Sequence, residues 1–510
     1  MVYNKKIILF ILLSIFGFNL INSINDNDSQ KYNVLFIIAD DLNCDIGAYG
    51  NENVFTPNID RLAKEGVLFE NAHVQYPLCG PSRISLMTGL YPDQTKSKEL
   101  RLYLRQTIPD VITIGQNFIK ERYNSVRVGK IYHYHNPRDI GTSGHDDHFS
   151  WDQTVNPYGR DKIEEYKLNK VKENFDGATL SWLEADGLDN EQTDGIGAEE
   201  TIKFLERFSE TKENFFLAFG LYRPHIPFVA PKKYFDLYEE DDMVVPSNGD
   251  DFLKTVPPPA SKSLRARKEQ IDLDHSTIQK VKKAYYSTTS FIDAQIGKVL
   301  DKLKETGLDK NTIVVFTSDH GYHLGEKGHW QKQTLYDRAT RIPLIISGPG
   351  IIANKKIISS PIELVDLYKT IMDLANISTP KFVQGFSLKD VLTKGSKPKR
   401  KSAFSELRVD FDSKQAQGYS IKTDRFRLIR WTYDFEIHYE LYDHKYDKEE
   451  NTNLVKNTSY KNTLDFLKLT LNNRIEEARK KPNGLGRQFE NAKPTLEPVR
   501  IHSAKKSSSY

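Results

Sequence analysis

At 510 residues the chain exceeds what a single hydrophobic core usually fills, which points to two domains. Its 72 basic and 69 acidic residues nearly cancel, leaving a net charge of +3 that gives no electrostatic basis for binding nucleic acid. Aromatic residues make up 11% and charges of both signs are interspersed, which excludes a largely disordered chain.

Lys5 and Lys6 precede an apolar run over residues 7–18, followed by Asn22 and Ser23. This is the pattern of a secretory signal peptide over residues 1–23, and the run is short for a membrane span. An uncleaved N-terminal anchor is the alternative, because Ile21 makes a poor cleavage site. The mature protein is expected to be exported, to the periplasm or the medium, with no stable membrane span. Residues 33–39, Asn-Val-Leu-Phe-Ile-Ile-Ala, form a near-continuous apolar run, as expected of a strand buried on both faces of a parallel sheet. It ends in Asp40-Asp41, at the strand end where open α/β sheets place their sites. Thr56-Pro57-Asn58 opens a helix carrying Ile59, Leu62 and Ala63 on one face and ending at Gly66. Further buried strands are predicted at 215–219, 313–317 and 343–347, separated by helical patterns at 197–208 and 278–303. Strands alternating with helices give an α/β fold, a large mostly parallel sheet between helices, over a domain spanning residues 30–400. Residues 236–274, rich in charge and proline, read as a long surface excursion. The composition shifts at 394–401, and strands at 402–407, 418–423, 425–431 and 439–443 with a helix at 463–480 make a smaller α+β domain over 401–483. Residues 484–510 have little apolar content and read as a poorly packed tail.

The segment Cys79-Gly80-Pro81-Ser82-Arg83 carries the most chemical information. Pro81 suits a first helical turn, so a helix is predicted to start beside Cys79, with free backbone N–H groups and the positive end of the dipole facing that side chain. Arg83, one turn on, adds a fixed charge suited to an anionic ester. A structural cysteine, or a disulfide between Cys44 and Cys79, the only two cysteines, fits the same residues. Thr317-Ser318-Asp319-His320-Gly321 follows the strand at 313–317 and is spaced for the same sheet edge as Asp40-Asp41. Three converging carboxylates would repel one another without a cation, and hard oxygen donors favour Ca²⁺ or Mg²⁺, calcium being the better fit. Val128-Gly129-Lys130-Ile131-Tyr132-His133 brings a lysine and a histidine together after another strand. Arg223-Pro224-His225-Ile226-Pro227-Phe228 sets a histidine between two prolines that fix its backbone, which suits a positioned acid or base. Gly328-His329-Trp330-Gln331-Lys332 lies just past the Asp319 motif.

Taken in order, these segments resemble the iduronate-2-sulfatase branch of the type I sulfatases, within the alkaline phosphatase superfamily. The resemblance runs from Asn33 to Leu454 and includes Gly418-Tyr419-Ser420-Ile421-Lys422-Thr423 and Glu440-Leu441-Tyr442. It implies an alkaline phosphatase-like fold and oxidation of Cys79 to formylglycine by a maturation enzyme, giving a hydrated aldehyde as nucleophile. It further implies one Ca²⁺ held by Asp40, Asp41, Asp319, His320 and the modified Cys79. Arg83 would hold the diol, Lys130 and Lys332 would clamp sulfate oxygens, His225 would protonate the departing sugar oxygen, and His133 would take the proton that releases sulfate. Cys44 is then an unpaired thiol. The implied activity is hydrolysis of an O-sulfate ester of a sugar, expected at the 2-position of a uronic acid or xylose in a sulfated poly- or oligosaccharide such as ulvan or a glycosaminoglycan. A phosphonate or phosphate ester hydrolase and a non-catalytic glycan-binding relative are the alternatives. The excursion at 236–274 and Phe149-Ser150-Trp151 match nothing that fixes sugar specificity.

Overall fold

The computed structural model describes residues 31–173, 179–247, 249–352 and 356–493. The predicted signal peptide lies outside them, and among the described residues no helix is long and apolar enough to cross a membrane. In chain order the elements that build and frame the site are β1 (Asn33–Ala39), α1 (Pro57–Glu65), β2 (Val67–Phe69), α2 (Cys79–Thr88), β3 (Asn124–Gly129), β4 (Gln153–Val155), α3 (Thr193–Thr211), β5 (Phe215–Gly220), α4 (His275–Glu305), β6 (Thr312–Ser318), β7 (Leu344–Ser347), β8 (Lys356–Ile358), α5 (Asp366–Leu374), β9 (Ala403–Phe411), β10 (Lys414–Lys422), β11 (Phe426–Tyr433), β12 (Glu436–Asp443) and α6 (Lys461–Arg479).

Eight strands form one sheet in the order β8-β2-β7-β6-β1-β5-β3-β4. Only β7 opposes the rest, since it pairs antiparallel with both β6 and β2 while the other pairs are parallel. The seven residues of β1 are all buried because both faces are covered. Val34, Phe36 and Ile38 pack with Ile84 and Met87 of α2 and Leu367 and Ile371 of α5. Leu35, Ile37 and Ala39 face Ile59 of α1, Leu205 of α3 and Ile292 and Ile296 of α4. Each large aliphatic side chain so buried contributes about 1.5–3 kcal/mol. The expected layered α/β fold is therefore the observed one.

The second sheet is an antiparallel meander, β9-β10-β11-β12, backed by Leu467, Leu471 and Ile475 of α6. Its first hairpin is longer than the apolar pattern predicted. Asp412 and Ser413 both take positive φ, 46° and 62°, making a two-residue turn whose twist matches the strands and carries pairing out to Phe411 and Lys414. The excursion at 236–274 is also more ordered than expected. It holds short helices at Asp250–Leu253 and Pro258–Leu264, the latter beginning on the proline run. Phe252, Ala260 and Leu264 pack with Trp431 and Tyr442 of the second sheet and with Leu335, so the excursion fills the seam between the domains. Of the expected tail, residues 484–493 lie against the larger domain: Arg487 donates to both oxygens of Asp110, and the Phe489 N–H donates to the carbonyl of Thr107 at 2.8 Å.

The seam also carries buried charge. Arg427 of β11 forks to Asp337 (2.8 Å) and Glu450, and His444 reaches Glu450 at 2.8 Å. Burial acts to raise Asp337, but His444, Arg341 and Arg427 hold it well below the usual carboxylate range. Burial likewise acts to raise Glu450, and Arg427 and His444 bring it below its usual value. Carboxylates lowered in the folded state add stability that is present above their unfolded values of about 4 and is lost as the pH falls through the folded values. Melting temperature is accordingly expected to drop below about pH 4. Asp337→Asn should cost about 3 kcal/mol at neutral pH and flatten the acid limb of a melting-temperature profile.

Candidate active site

Four parallel strands deliver their following residues to one sheet edge. Asp40 and Asp41 follow β1, Asp319 follows β6, Lys130 follows β3, and the segment with His225 follows β5. The register sets Ala39 beside Ser318, so the acidic residues that follow each strand emerge side by side. At Gly129 and Gly220 the strands approach so closely that a Cβ on Gly129 would lie 2.0 Å from the Gly220 carbonyl. Only glycine, here at φ 73°, permits the Lys130 N–H to donate to that carbonyl at 2.9 Å.

The helix predicted beside Cys79 is α2, whose first residue is Cys79 itself and whose ten residues are all buried. Cys79 and Cys44 are both free thiols, so the disulfide alternative does not hold. Cys79 Sγ lies 3.2 Å from His320 Nε2 and 3.9 Å from Asp41 Oδ1. Arg83 is the central strut. Its Nε donates to Asp319 Oδ2 at 2.9 Å, Nη2 to Asp40 Oδ1 at 3.0 Å, and Nη1 to the carbonyls of Lys130 and Ile131 at 2.7 and 3.0 Å. Lys332 donates to both oxygens of Asp41 at 2.7 Å, and Lys130 pairs with Asp40 Oδ2. His225 places Nε2 3.8 Å from Asp41 Oδ2 and Nδ1 2.6 Å from the Ile226 carbonyl. His133 is the exception to this convergence, for its contacts are with His135 and His145 rather than with Cys79.

The donor chemistry at the centre fits a cation. Nδ1 of His320 lies 2.9 Å from the Gly321 carbonyl, which assigns the proton there and leaves Nε2 as an acceptor. That lone pair faces Asp41 Oδ1 at 3.4 Å and Asp319 Oδ2 at 3.6 Å, acceptor against acceptor. Asp41, Cys79, Asp319 and His320 each offer a ligand atom within 4.8 Å of the others. Burial raises the Asp41 carboxyl above its usual value; Lys332 and His320 oppose this, and Asp40 and Asp319 push with it. Burial also acts to raise Asp40, but Lys130, His225 and Arg83 carry it well below the usual range. His225 is pushed well below its ordinary value by burial and by Lys332, against the opposing pull of Asp40.

Several supporting residues carry no signal in the sequence. Asn136 donates to Asp40 Oδ2 at 2.9 Å. Tyr285 of α4 donates its hydroxyl to the Asp41 carbonyl at 2.8 Å while accepting the Asn43 N–H at 2.9 Å, pinning Asp41 in a left-handed conformation at φ 66°. Asp194 of α3 accepts the N–H groups of Tyr222 and Arg223 at 2.8 and 2.9 Å, and Arg223 is held in turn by Asp161 at 2.7 Å. This buried truss supports the segment presenting His225. Asp194→Ala leaves two buried N–H groups unpaired, and the expected outcome is a loss of about 2–4 kcal/mol with a lower kcat and little change in KM, read by denaturation and steady-state kinetics.

Comparison with known proteins identifies the family. The sulfatase family model matches residues 32–377, and a model described as N-sulphoglucosamine sulphohydrolase, C-terminal, matches residues 325–481. A sulfatase of Formosa agariphila is 32% identical over 465 residues, which cover 87% of this chain and 86% of that one. Iduronate 2-sulfatase of Mus musculus is 34% identical over 339 residues, 63% of this chain and 60% of that one. The solved phosphonate monoester hydrolase of Agrobacterium radiobacter superposes with a TM-score of 0.75 at 20% identity, over 92% of this chain and all of that one, a likeness of fold. With the family model spanning well over half its length, and a relative matched nearly end to end, the chain belongs to the sulfatase family, sulfuric ester hydrolases built on the alkaline phosphatase-like fold.

Proposed function

We propose that this sulfatase is exported and removes the 2-O-sulfate of a uronic acid or xylose in a sulfated polysaccharide of the glycosaminoglycan or ulvan type. Its nucleophile is formylglycine made from Cys79 by a maturation enzyme, and its ion is one Ca²⁺ held by Asp40, Asp41, Asp319, His320 and position 79. The observation that most supports this is the crowding of buried acceptors on Asp41, Asp319 and His320 around Cys79, with Lys130 and Lys332 beside them. When bound, the ion supplies positive charge that polarises a sulfate oxygen and stabilises a nucleophilic oxygen at position 79.

The chain's own residues do the rest. Arg83 fixes the carboxylates and orients position 79 from within the first turn of α2. Lys130 and Lys332, each now on an aspartate, turn their ammonium groups to the sulfate oxygens. His225 hands a proton to the departing sugar oxygen, and His133 accepts the proton whose removal frees sulfate. A polymeric substrate is supported by a cleft of about 600 Å³ lined by Leu78 and Gln333, the neighbours of Cys79 and Lys332, and by Arg101, Lys262 and Arg408. Lys262 comes from the excursion at 236–274, which thereby joins the substrate surface.

The test is a panel of defined sulfated oligosaccharides, with phosphonate and phosphate diesters alongside, read for sulfate released and for the position lost. Loss of 2-O-sulfate alone is expected. Removal only of 3-, 4- or 6-sulfates, or a strong preference for phosphorus esters, would falsify the proposal.

A further inference from the structure

Residues 133–145 bring three imidazoles together on the Lys130 side of the site. The rings of His133 and His135 meet edge-on with centroids 4.5 Å apart, and His145 lies 5.4 and 5.3 Å from them. The backbone builds this cluster: the His145 N–H donates to the His133 carbonyl at 2.8 Å, and Asp139 accepts the His135 N–H at 3.1 Å while its own N–H donates to the His135 carbonyl at 2.8 Å. Each ring offers a nitrogen within 4.8 Å of the other two. Nε2 of His133 and Nδ1 of His135 stand 3.4 Å apart, long for a hydrogen bond. That separation matches the edge, about 3.3–3.4 Å, of a tetrahedron of nitrogens bound at about 2.0–2.1 Å to a metal. Burial, together with Lys130 and the neighbouring imidazoles, puts His133 well below its usual value, and burial pushes His135 down to about 4, so both rings are neutral.

We propose that His133, His135 and His145 form a binding site for a borderline divalent transition metal, zinc by preference, distinct from the carboxylate centre. Three imidazole nitrogens without a carboxylate among them are a donor set that zinc accepts and calcium rejects. A nitrogen held by a metal cannot take up a proton, so filling this site withdraws His133 from turnover. That last consequence rests on the role proposed for His133; the site itself does not.

The experiment uses the matured full-length enzyme saturated with Ca²⁺, to which ZnCl₂ alone is added, and CoCl₂ in a parallel sample. One zinc per chain should be retained in addition to calcium. Cobalt should show the visible absorption of a tetrahedral nitrogen site without the thiolate charge-transfer band that an unmodified Cys79 would give. His135→Asn and His145→Asn should each weaken zinc binding by at least about tenfold. Sulfate release by the unsubstituted enzyme should stop as the site fills. Failure to retain zinc beyond calcium, or retention unchanged in both variants, overturns the site. Zinc retained through His135 and His145 with turnover untouched upholds the site and removes His133 from the reaction. The cobalt spectrum of the unsubstituted protein decides the matter even where a variant does not fold.

Discussion

Cys79→Ser is expected to abolish repeated sulfate release, by on the order of 10⁴–10⁶-fold, while the protein still folds and binds its substrate. The substitution replaces one small buried side chain by another at the head of α2, next to His320 and Asp41, so packing changes little. What changes is the chemistry available at that point. A serine oxygen can accept one sulfuryl group from the substrate, but it has no second hydroxyl from which a proton could be taken to expel the sulfate. Intact-protein mass spectrometry should therefore find a single sulfuryl group held on each chain after exposure to substrate, alongside an absent steady state. Full turnover in this variant would mean that water attacks sulfur directly and that position 79 is only a ligand.

The second large effect is expected at Arg83. Its guanidinium has no exposed surface and makes four hydrogen bonds, to two carboxylates and two backbone carbonyls, and the carboxylates hold it above its already high ordinary value against the opposing effect of burial. Arg83→Met leaves Asp40 and Asp319 as buried charges short of a partner, at about 3–5 kcal/mol. Denaturant unfolding should show that loss, with activity falling by more than about 10³-fold. Arg83→Lys should recover little, because a single ammonium cannot fork to groups on β1, β6 and the turn after β3 at once. A folded Arg83→Met protein of unchanged stability and rate would show that the strut is dispensable.

Much of this centre was legible in the sequence, for a physical reason. A strand buried on both faces of a parallel sheet reads as an unbroken apolar run, so the ends of β1 and β6 were visible and with them Asp40, Asp41 and Asp319. Pro81 likewise announced the start of α2. Position after a strand did not reveal which groups hold these residues in place. Tyr285 sits in the middle of a 31-residue helix, where its hydroxyl reaches Asp41 from 244 positions away in sequence, and Asp194 reads as an ordinary acidic residue in a first helical turn. Such contacts arise from the packing of whole helices on the sheet and leave no local pattern. The hairpin at Asp412 and Ser413 was missed because its strands run beyond the core and lose their apolar alternation.

The complete burial of α2 has a bearing on when the enzyme becomes active. Cys79 is 1% exposed, and every residue from Cys79 to Thr88 is covered by the sheet and by neighbouring helices. A second protein cannot lay this segment in its own active cleft without first pulling the helix out of the core. If Cys79 is oxidised as proposed, that step has to happen while the chain is still extended, before the sheet closes over it. On that reading the proportion of working molecules would be settled during synthesis, and chains that fold with the thiol intact would stay inert whatever oxidant they meet afterwards.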